Sequence, residues 1–358
     1  MIVTSNSATT NQKDNSKKKV LKEQTHLKNI FNDENQESQL LRPQSLSQYV
    51  GQEKMVRQLG LILESAKIRE KIPEHILFYG PPGLGKTTIA SLIAGEMNAS
   101  LKVLAAPSLQ KTGDLVSLLL NLEPRTVLFI DEIHRLRAPL EETLYSAMED
   151  GKVDLLMGKG QGASVARLDL SEFMLIGATT QLGKLSKPLK DRFPSIFQLE
   201  PYTNSEILDL VERNTKILKL KINQEAKLLV CRRSRGTPRI ANNLLKRLLD
   251  FQTVHKISEL NDIEVEDFLK ELGIFQRGLT TADLTYMRAL QDGSLGLKTL
   301  GGRLLEETET LELVTEPYLI YLGFLDKSSE GRKLTAKGLE FITQFDKTHR
   351  YNVTNLDN

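Results

Sequence analysis

The residues most capable of chemistry begin with "GPPGLGKTT", from Gly80 to Thr88. This stretch fits the pattern G-x-x-x-x-G-K-[ST] through Gly80, Gly85, Lys86 and Thr87. Its glycines let backbone N–H groups approach phosphate oxygens, and the positive end of a following helix faces the same anion. Lys86 is expected to reach the β- and γ-phosphates, and the Thr87 hydroxyl to ligate Mg²⁺. Because the stretch follows a predicted strand and opens a predicted helix, it predicts an ATP site.

A second stretch, "VLFIDEIHRL", supplies acidic residues at the end of an apolar run. Asp131 is expected to hold Mg²⁺, mainly through water, and Glu132 to polarise the attacking water as a general base. We expect His134 to be structural. In "LIGATT", Thr180 ends a third apolar run and is placed to hydrogen-bond the γ-phosphate or the water.

Two arginines add positive charge near these motifs. In "RGTPRIANNLL", Thr237 resembles a helix N-cap and Pro238 suits the first helical position. Arg239 then falls in the first turn, where its guanidinium can sense an anion. In "LKDRFPS", Arg192 follows a short helical segment and could act as an arginine finger on a neighbour's nucleotide. An ion pair with Asp191 is equally compatible with the sequence.

The composition is that of a globular protein. The chain has 358 residues, of which 40% are hydrophobic and 26% charged, with a formal net charge of +2. A nucleic-acid partner must therefore meet a local basic patch. Cys231 is the single cysteine, which excludes an internal disulfide. No run is long and apolar enough to span a bilayer, and the N-terminus lacks a signal-peptide core. We expect a cytoplasmic protein without membrane contact.

The pattern changes along the chain predict three domains between two tails. Residues 1–39 are polar and are expected to be disordered. Residues 40–203 alternate short apolar runs with helices, which predicts an α/β nucleotide-hydrolysing domain with a parallel sheet. Residues 204–276 read as a small helical domain. Residues 277–347 show three helices and a short hairpin, the order of a winged helix, and 348–358 form a tail.

The segment "GKVDLLMGKGQGASVARLDL", Gly151 to Leu170, predicts a hairpin inside the α/β domain. Leu155, Met157, Val165 and Leu168 are candidates for an exposed apolar patch, which usually marks a partner site. A hairpin folded back on its own sheet is the alternative. The glycine-rich tip favours protrusion.

The motifs together resemble the RuvB family, the bacterial Holliday-junction branch-migration motors of the AAA+ class. The resemblance runs from about Leu40 to about Ile342. It is carried by "LRPQSLSQYVGQ", "GPPGLGKTT", "LFIDEIHRL", "GATT", "PLKDRF", "GTPRIANNLL" and "EPYLIYLGFL". It implies an AAA+ P-loop core, a helical lid domain and a C-terminal winged-helix domain.

The resemblance also implies partners and site residues. It implies a homohexameric ring around duplex DNA, a RuvA-like junction-binding protein docked on hairpin 152–170, and a resolvase that can join the complex. Arg192 is implied as the finger acting on the adjacent subunit. The implied nucleotide contacts are Leu41, Arg42, Gly83, Gly85, Lys86, Thr87, Thr88, Glu149, Asp150, Gly151, Tyr202 and Arg239. Gly151 departs from the family, where an aromatic residue follows "MED".

The predicted winged helix has an unusual charge pattern. Its would-be recognition helix carries no Lys or Arg and three glutamates, Glu309, Glu312 and Glu316. Phosphates should repel such a helix. The basic residues lie in the wing, at Lys327, Arg332 and Lys333. We therefore predict that Lys327 and Arg332 contact the DNA backbone with little sequence preference. Glu330, where RuvB-like wings usually carry arginine, weakens the local positive field.

Two other functions remain open on the residues alone. A clamp-loader-like switch would share the ATP site but would not need a terminal winged helix. A nucleotide-gated transcription regulator would need a recognition helix that reads bases, and the three glutamates count against it.

Overall fold

The computed structural model describes residues 40–157 and 164–349. Within these ranges the chain forms two compact units. The first runs to Ile222 and resumes over Gly236–Glu259, and the second comprises Asn223–Arg235 and continues from Leu260. None of the helices described is both long and apolar enough to cross a bilayer.

A parallel sheet organises the first unit. Its strands are β1 (Ile76–Tyr79), β2 (Leu101–Ala105), β3 (Thr126–Asp131), β6 (Phe173–Thr179) and β7 (Ser195–Gln198). They lie in the order β2-β3-β6-β1-β7, and neighbouring strands pair in parallel. Strands β3 and β6 are almost entirely buried, as expected of a sheet covered on both faces. The predicted α/β core is confirmed.

The first unit also contains seven helices among the described residues. They are α1 (Glu53–Ile68), α2 (Lys86–Glu96), α3 (Thr112–Leu120), α4 (Ala138–Glu149), α5 (Lys187–Asp191), α6 (Asn204–Leu218) and α8 (Pro238–His255). Short 3₁₀ turns lie at Leu46–Gln48, Ala106–Ser108, Ile133–Arg135 and Leu182–Lys184. Leucines of α3 and α4 pack on the inner strands in one apolar cluster, which fixes the strand ends that carry the polar motifs.

The hairpin predicted within this unit is present. Strands β4 (Lys152–Met157) and β5 (Ser164–Asp169) pair in antiparallel register. Leu155 and Leu168 are half-buried and pack against the core cluster of the unit, so assigning them to an exposed apolar patch was wrong. The base of the hairpin follows directly from α4 and lies over that cluster. The side chains of Met157 and Val165, and residues 158–163, lie outside the described part.

The second unit contains helices and a small antiparallel hairpin. Its helices are α7 (Gln224–Arg233), α9 (Asp262–Glu271), α10 (Thr281–Ala289), α11 (Leu297–Leu304), α12 (Thr308–Thr310), α13 (Glu316–Tyr321) and α14 (Ala336–His349), with a 3₁₀ turn at Gln276–Gly278. A π-helical turn, Leu311–Thr315, joins α12 to α13. Strands β8 (Leu325–Ser328) and β9 (Gly331–Leu334) form the predicted wing. Leu284, Met287, Leu319 and Phe324 belong to the apolar core that holds helices and wing together.

Candidate nucleotide-binding site

The sheet order brings the sequence motifs together. Strand β6 lies between β1, which leads into the phosphate loop, and β3, which ends at Asp131. The Gly80 N–H donates to the carbonyl of Thr179 at 3.2 Å, so the loop begins beside the end of β6. Because parallel strands present their carboxyl ends at one edge, three separate motifs meet there.

A cavity of about 430 Å³ lies at this edge. Its lining includes four cationic side chains and two carboxylates, which leaves an excess of positive charge for an anion. Ten of the predicted residues line it: Leu41, Arg42, Gly83, Gly85, Lys86, Thr87, Thr88, Asp131, Glu132 and Arg239. The remaining lining residues are Pro82, Pro238, Asn242, Asn243 and Lys246.

The phosphate loop requires glycine at two positions. Gly85 has φ +98 and caps α2, and Gly83 has φ +80. A Cβ on Gly83 would lie 2.8 Å from Cγ2 of Thr237, so that position also allows close approach of the loop to the start of α8. The Arg239 N–H donates to the Gly83 carbonyl at 3.3 Å. This contact carries Arg239 to the phosphate loop, as its place in the first turn predicted.

Lys86 is held by neutral oxygen atoms. Its Nζ donates to the carbonyls of Gly80 at 2.8 Å and Pro81 at 2.9 Å. Burial lowers the pKa of Lys86, while Glu132 and Asp131 oppose that shift. The ammonium group thus faces the cavity without a direct carboxylate contact, and a phosphate can replace the carbonyls as its partner.

Glu132 is fixed by the strand beside it. Its Oε2 accepts from the Thr180 hydroxyl at 2.9 Å and from the Thr180 N–H at 3.3 Å. The His134 Nδ1 lies 3.1 Å from the same oxygen and 2.8 Å from the Thr179 hydroxyl. Burial lowers the pKa of His134, which keeps the ring neutral at pH 7. Glu132 itself has φ +48, a strained backbone that the neighbouring contacts maintain.

Tyr202 lies behind the phosphate loop and does not line the cavity. Its hydroxyl donates to the Tyr49 hydroxyl at 3.0 Å, and Tyr49 donates to the Leu84 carbonyl at 3.4 Å. Burial raises the pKa of Tyr49 to about 12 and raises that of Tyr202 as well, so both phenols stay protonated. Tyr202 reaches the loop through Tyr49, which lies in the stretch "LRPQSLSQYVGQ" but was given no role in the sequence analysis.

Arg192 lies apart from the nucleotide cavity. It lines a second depression together with Glu149, Asp150 and Gly151. Its Nη2 donates to Glu149 Oε2 at 2.6 Å, and the guanidinium lies 4.8 Å from the ring centroid of Tyr145. The partner is therefore Glu149 and not Asp191. The structure does not bring these predicted nucleotide contacts to the phosphate loop of their own chain.

Helical spacing explains the cavity residues that the motifs missed. Asn242, Asn243 and Lys246 follow Arg239 by three, four and seven positions on α8. Residues at these offsets share one helix face, so the position of Arg239 was enough to find them. Asn242 is held in place by the Asn214 amide, which donates to its Oδ1 at 2.6 Å.

In the second unit, Lys327 and Arg332 are paired with acidic residues. Arg332 is only 8% exposed, and its Nε donates to Glu316 Oε1 at 2.9 Å. Lys327 Nζ donates to Glu312 Oε1 at 2.6 Å. Two of the three glutamates predicted to repel DNA, Glu312 and Glu316, are thus internal partners of the wing. Arg332, for which a contact to the DNA backbone was predicted, is largely buried.

Comparison with known protein families covers most of the chain. Residues 41–199 match a model described as "Holliday junction DNA helicase RuvB P-loop domain". Residues 202–274 match the RuvB AAA lid domain, and residues 276–343 match the RuvB C-terminal winged-helix domain.

Individual relatives and solved structures agree with these models. The chain is 44% identical over 304 residues to the Holliday junction branch migration complex subunit RuvB of Fusobacterium nucleatum, covering 84% of this chain and 92% of the relative. It is 43% identical over 314 residues to the protein of that name from Chloroflexus aggregans, covering 87% and 90%. A structure described as the Thermotoga maritima RuvB Holliday junction branch migration motor has a TM-score of 0.76 at 40% identity, covering 85% of this chain and 98% of that chain.

Proposed function

The chain belongs to the RuvB family, and from this premise we propose that it is the ATP-driven motor subunit of Holliday-junction branch migration. Its P-loop domain makes it a nucleotide-binding ATPase. In the proposed activity, copies of the chain form a hexameric ring around duplex DNA, and ATP hydrolysis moves the duplex through the ring. The DNA substrate implies action in the cytoplasm.

Hydrolysis in the proposed site depends on positioned charge. The Lys86 ammonium exchanges its carbonyl partners for β- and γ-phosphate oxygens, and Arg239 adds a second cation beside Gly83. Glu132, oriented by Thr180, accepts a proton from the attacking water. Lys86 and Arg239 then stabilise the charge on the phosphate oxygens as the terminal phosphoryl group is transferred.

The residues present fit a magnesium ion. Thr87 and Asp131 offer a hydroxyl and a carboxylate to the same cavity, and hard oxygen donors are the ligands that Mg²⁺ prefers. The Glu132 N–H donates to Asp131 Oδ1 at 3.0 Å and orients that carboxylate. When bound, the ion would act as a Lewis acid that offsets the negative charge of the phosphates.

The position of Arg192 carries the proposal of a ring. The phosphate loop, Asp131 and Glu132 line the cavity, and Thr180 contacts Glu132 from the neighbouring strand, but the finger lines the other depression with Glu149. We infer that Arg192, together with Glu149, Asp150 and Gly151, meets the nucleotide of an adjacent subunit. An arginine finger supplied this way typically raises turnover by about 10³–10⁵-fold.

Mixed rings test this arrangement. Arg192→Ala subunits and Glu132→Gln subunits should each lose turnover, and mixing them should restore part of it, because one interface then pairs an intact site with an intact finger. ATP hydrolysis and migration of a synthetic four-way junction are the measurements. Native mass spectrometry establishes that mixed rings form. Mixed rings without recovered turnover would reject action across an interface.

The remaining assignments complete the proposal. We propose that hairpin 152–170 docks a RuvA-like junction-binding protein, although Leu155 and Leu168 at its base pack on their own unit. A resolvase can join that complex. We propose domain boundaries at 40–203, 204–276 and 277–347, with tails on either side.

A further inference from the structure

Two cations of the wing converge on one oxygen atom. Lys327 Nζ lies 2.6 Å from Glu312 Oε1, and Arg332 Nη2 lies 2.7 Å from the same atom. Arginine and lysine donors directed at a single anionic oxygen are also the arrangement in which proteins hold a phosphate. Here a side chain of the same domain supplies that oxygen.

Glu312 and Glu316, the two carboxylates beside Lys327 and Arg332, differ in how easily another anion can displace them. Glu316 is 1% exposed and accepts from the Tyr286 hydroxyl at 2.9 Å and from Arg332 Nε at 2.9 Å. Removing its cationic partner would leave a buried, uncompensated charge. The Arg332–Glu316 pair is therefore part of the core and stays in place.

Glu312 is the exchangeable member. Its side chain is 39% exposed, and its hydrogen-bond donors among the residues described are Lys327 and Arg332. Lys327 is also largely exposed. An exposed carboxylate can turn into water with little loss, since surface ion pairs contribute little net free energy.

The residues that follow Glu312 in sequence also face solvent. Glu312 lies in the π-helical turn Leu311–Thr315, and π turns are frequent at functional sites. The next two residues, Leu313 and Val314, are 49% and 66% exposed. The exposed side chain of Glu312 thus lies in a turn whose following side chains are also exposed.

We propose that Glu312 occupies the position of a DNA phosphate between Lys327 and Arg332, and that a phosphodiester of the duplex replaces it when the wing binds DNA. This inference rests on the proposed DNA-translocating function. The four side chains Lys327, Arg332, Glu312 and Glu316 carry no net charge together, so the wing exchanges one anion for another. Such a contact is weak and readily released, as a motor moving along arbitrary sequence requires.

Binding of the full-length protein to a labelled duplex of random sequence tests the exchange. Glu312→Gln removes the competing charge and should tighten binding by about three- to tenfold at low salt. Because the wild type and Glu312→Gln form the same phosphate contact in the complex, the slope of log affinity against log salt should be equal for both, and the gain should raise the whole line. Adding Lys327→Ala to Glu312→Gln should abolish the gain.

Glu309→Gln is the matched control. Glu309 is exposed on the same segment, and no ion pair to it occurs in the described part of the second unit. It should change affinity far less. An equal gain in affinity from both variants would show that the gain reflects net charge alone, and it would overturn the proposal. A Glu312→Gln affinity equal to that of the wild type would overturn it as well.

The outcomes separate the inference from the function beneath it. If the wild type binds duplex and migrates junctions while Glu312→Gln changes nothing, only the exchange fails. If the wild type binds no duplex at any salt concentration, the proposed function fails with it. If poly-glutamate competes as well as duplex of equal charge, the site is for an acidic protein and the phosphodiester assignment is wrong.

Discussion

The nucleotide cavity of the first unit and the wing of the second unit both gather cations, but they hold them in different ways. Lys86 donates to neutral carbonyl oxygens, whereas Lys327 and Arg332 donate to carboxylates. An anion that enters the cavity replaces backbone carbonyl groups as the partner of Lys86 and interacts with the full charge of its ammonium group. An anion reaching the wing must displace an existing one. The same residue types therefore predict a strong site in one unit and a weak, salt-sensitive site in the other.

The largest expected effect is a loss of ATP turnover without a loss of stability when Lys86 is replaced. Lys86→Met should reduce ATP turnover by at least about a hundredfold, because the transition state loses a buried charge partner. It should not lower stability, since it removes a buried ammonium whose direct partners are neutral and leaves no buried charge uncompensated. Steady-state hydrolysis and urea unfolding measure the two quantities. Normal turnover would reject the phosphate-loop assignment.

Replacing Arg332 of the wing with methionine should have the opposite effect: the second unit loses stability while ATP turnover is retained. Arg332→Met leaves the buried Glu316 carboxylate without its closest cation and should destabilise the second unit by about 3–5 kcal/mol. Hydrogen exchange of peptides from α10 to α14 should show the loss of protection, while basal ATP turnover remains. The neighbouring Lys333 is exposed, and Lys333→Met should stay within about 0.5 kcal/mol.

A double substitution sharpens this second prediction. Combining Arg332→Met with Glu316→Gln removes both charges while an amide oxygen can still accept from the Tyr286 hydroxyl. It should recover much of the lost protection, because no buried charge remains unpaired. If Arg332→Met alone leaves protection unchanged, the ion pair is not part of the core, and the contrast between the two units disappears.

The sequence predicted the cavity better than the wing for a physical reason. Asp131 ends β3, Thr180 directly follows β6, and Lys86 follows β1 through the phosphate loop. The topology of a parallel sheet brings strand ends together whatever the details of packing. The positions of Arg192 and Arg332 depend on side-chain contacts with residues distant in sequence. Arg192 pairs with Glu149, 43 positions earlier. Arg332 pairs with Glu316 and Glu312, 16 and 20 positions earlier. No local pattern encodes those choices, because they follow from how helix and loop pack.

The smallest expected effect is a difference in acid sensitivity between the units. His75 and His134 lie in the first unit, and burial lowers the pKa of each below its ordinary value of 6.5. The unfolded chain therefore binds protons more readily than the folded one. Their contribution to stability is present above pH 6.5 and is lost as the pH falls through their folded pKa values.

In the second unit the corresponding group is Glu312. The hydrogen bond from Lys327 is the main cause that lowers its pKa from 4.5. Its contribution persists above pH 4.5 and is lost only as the pH falls through its lower folded pKa. As the pH falls from 6.5 towards 4.5, the first unit should therefore lose stability while the second unit keeps it.

Thermal unfolding followed by hydrogen exchange from about pH 7.5 to about pH 5 resolves the two units. Peptides of β1 and β6 should lose protection first, after correction for intrinsic exchange rates. His75 Nδ1 accepts from the Leu175 N–H at 2.9 Å, so protonating that nitrogen breaks a contact between these strands. His75→Asn, whose amide oxygen can accept the same N–H, should flatten the pH dependence of the first unit. Earlier loss of protection in the wing would instead place the acid-sensitive charges in the second unit and reverse the contrast.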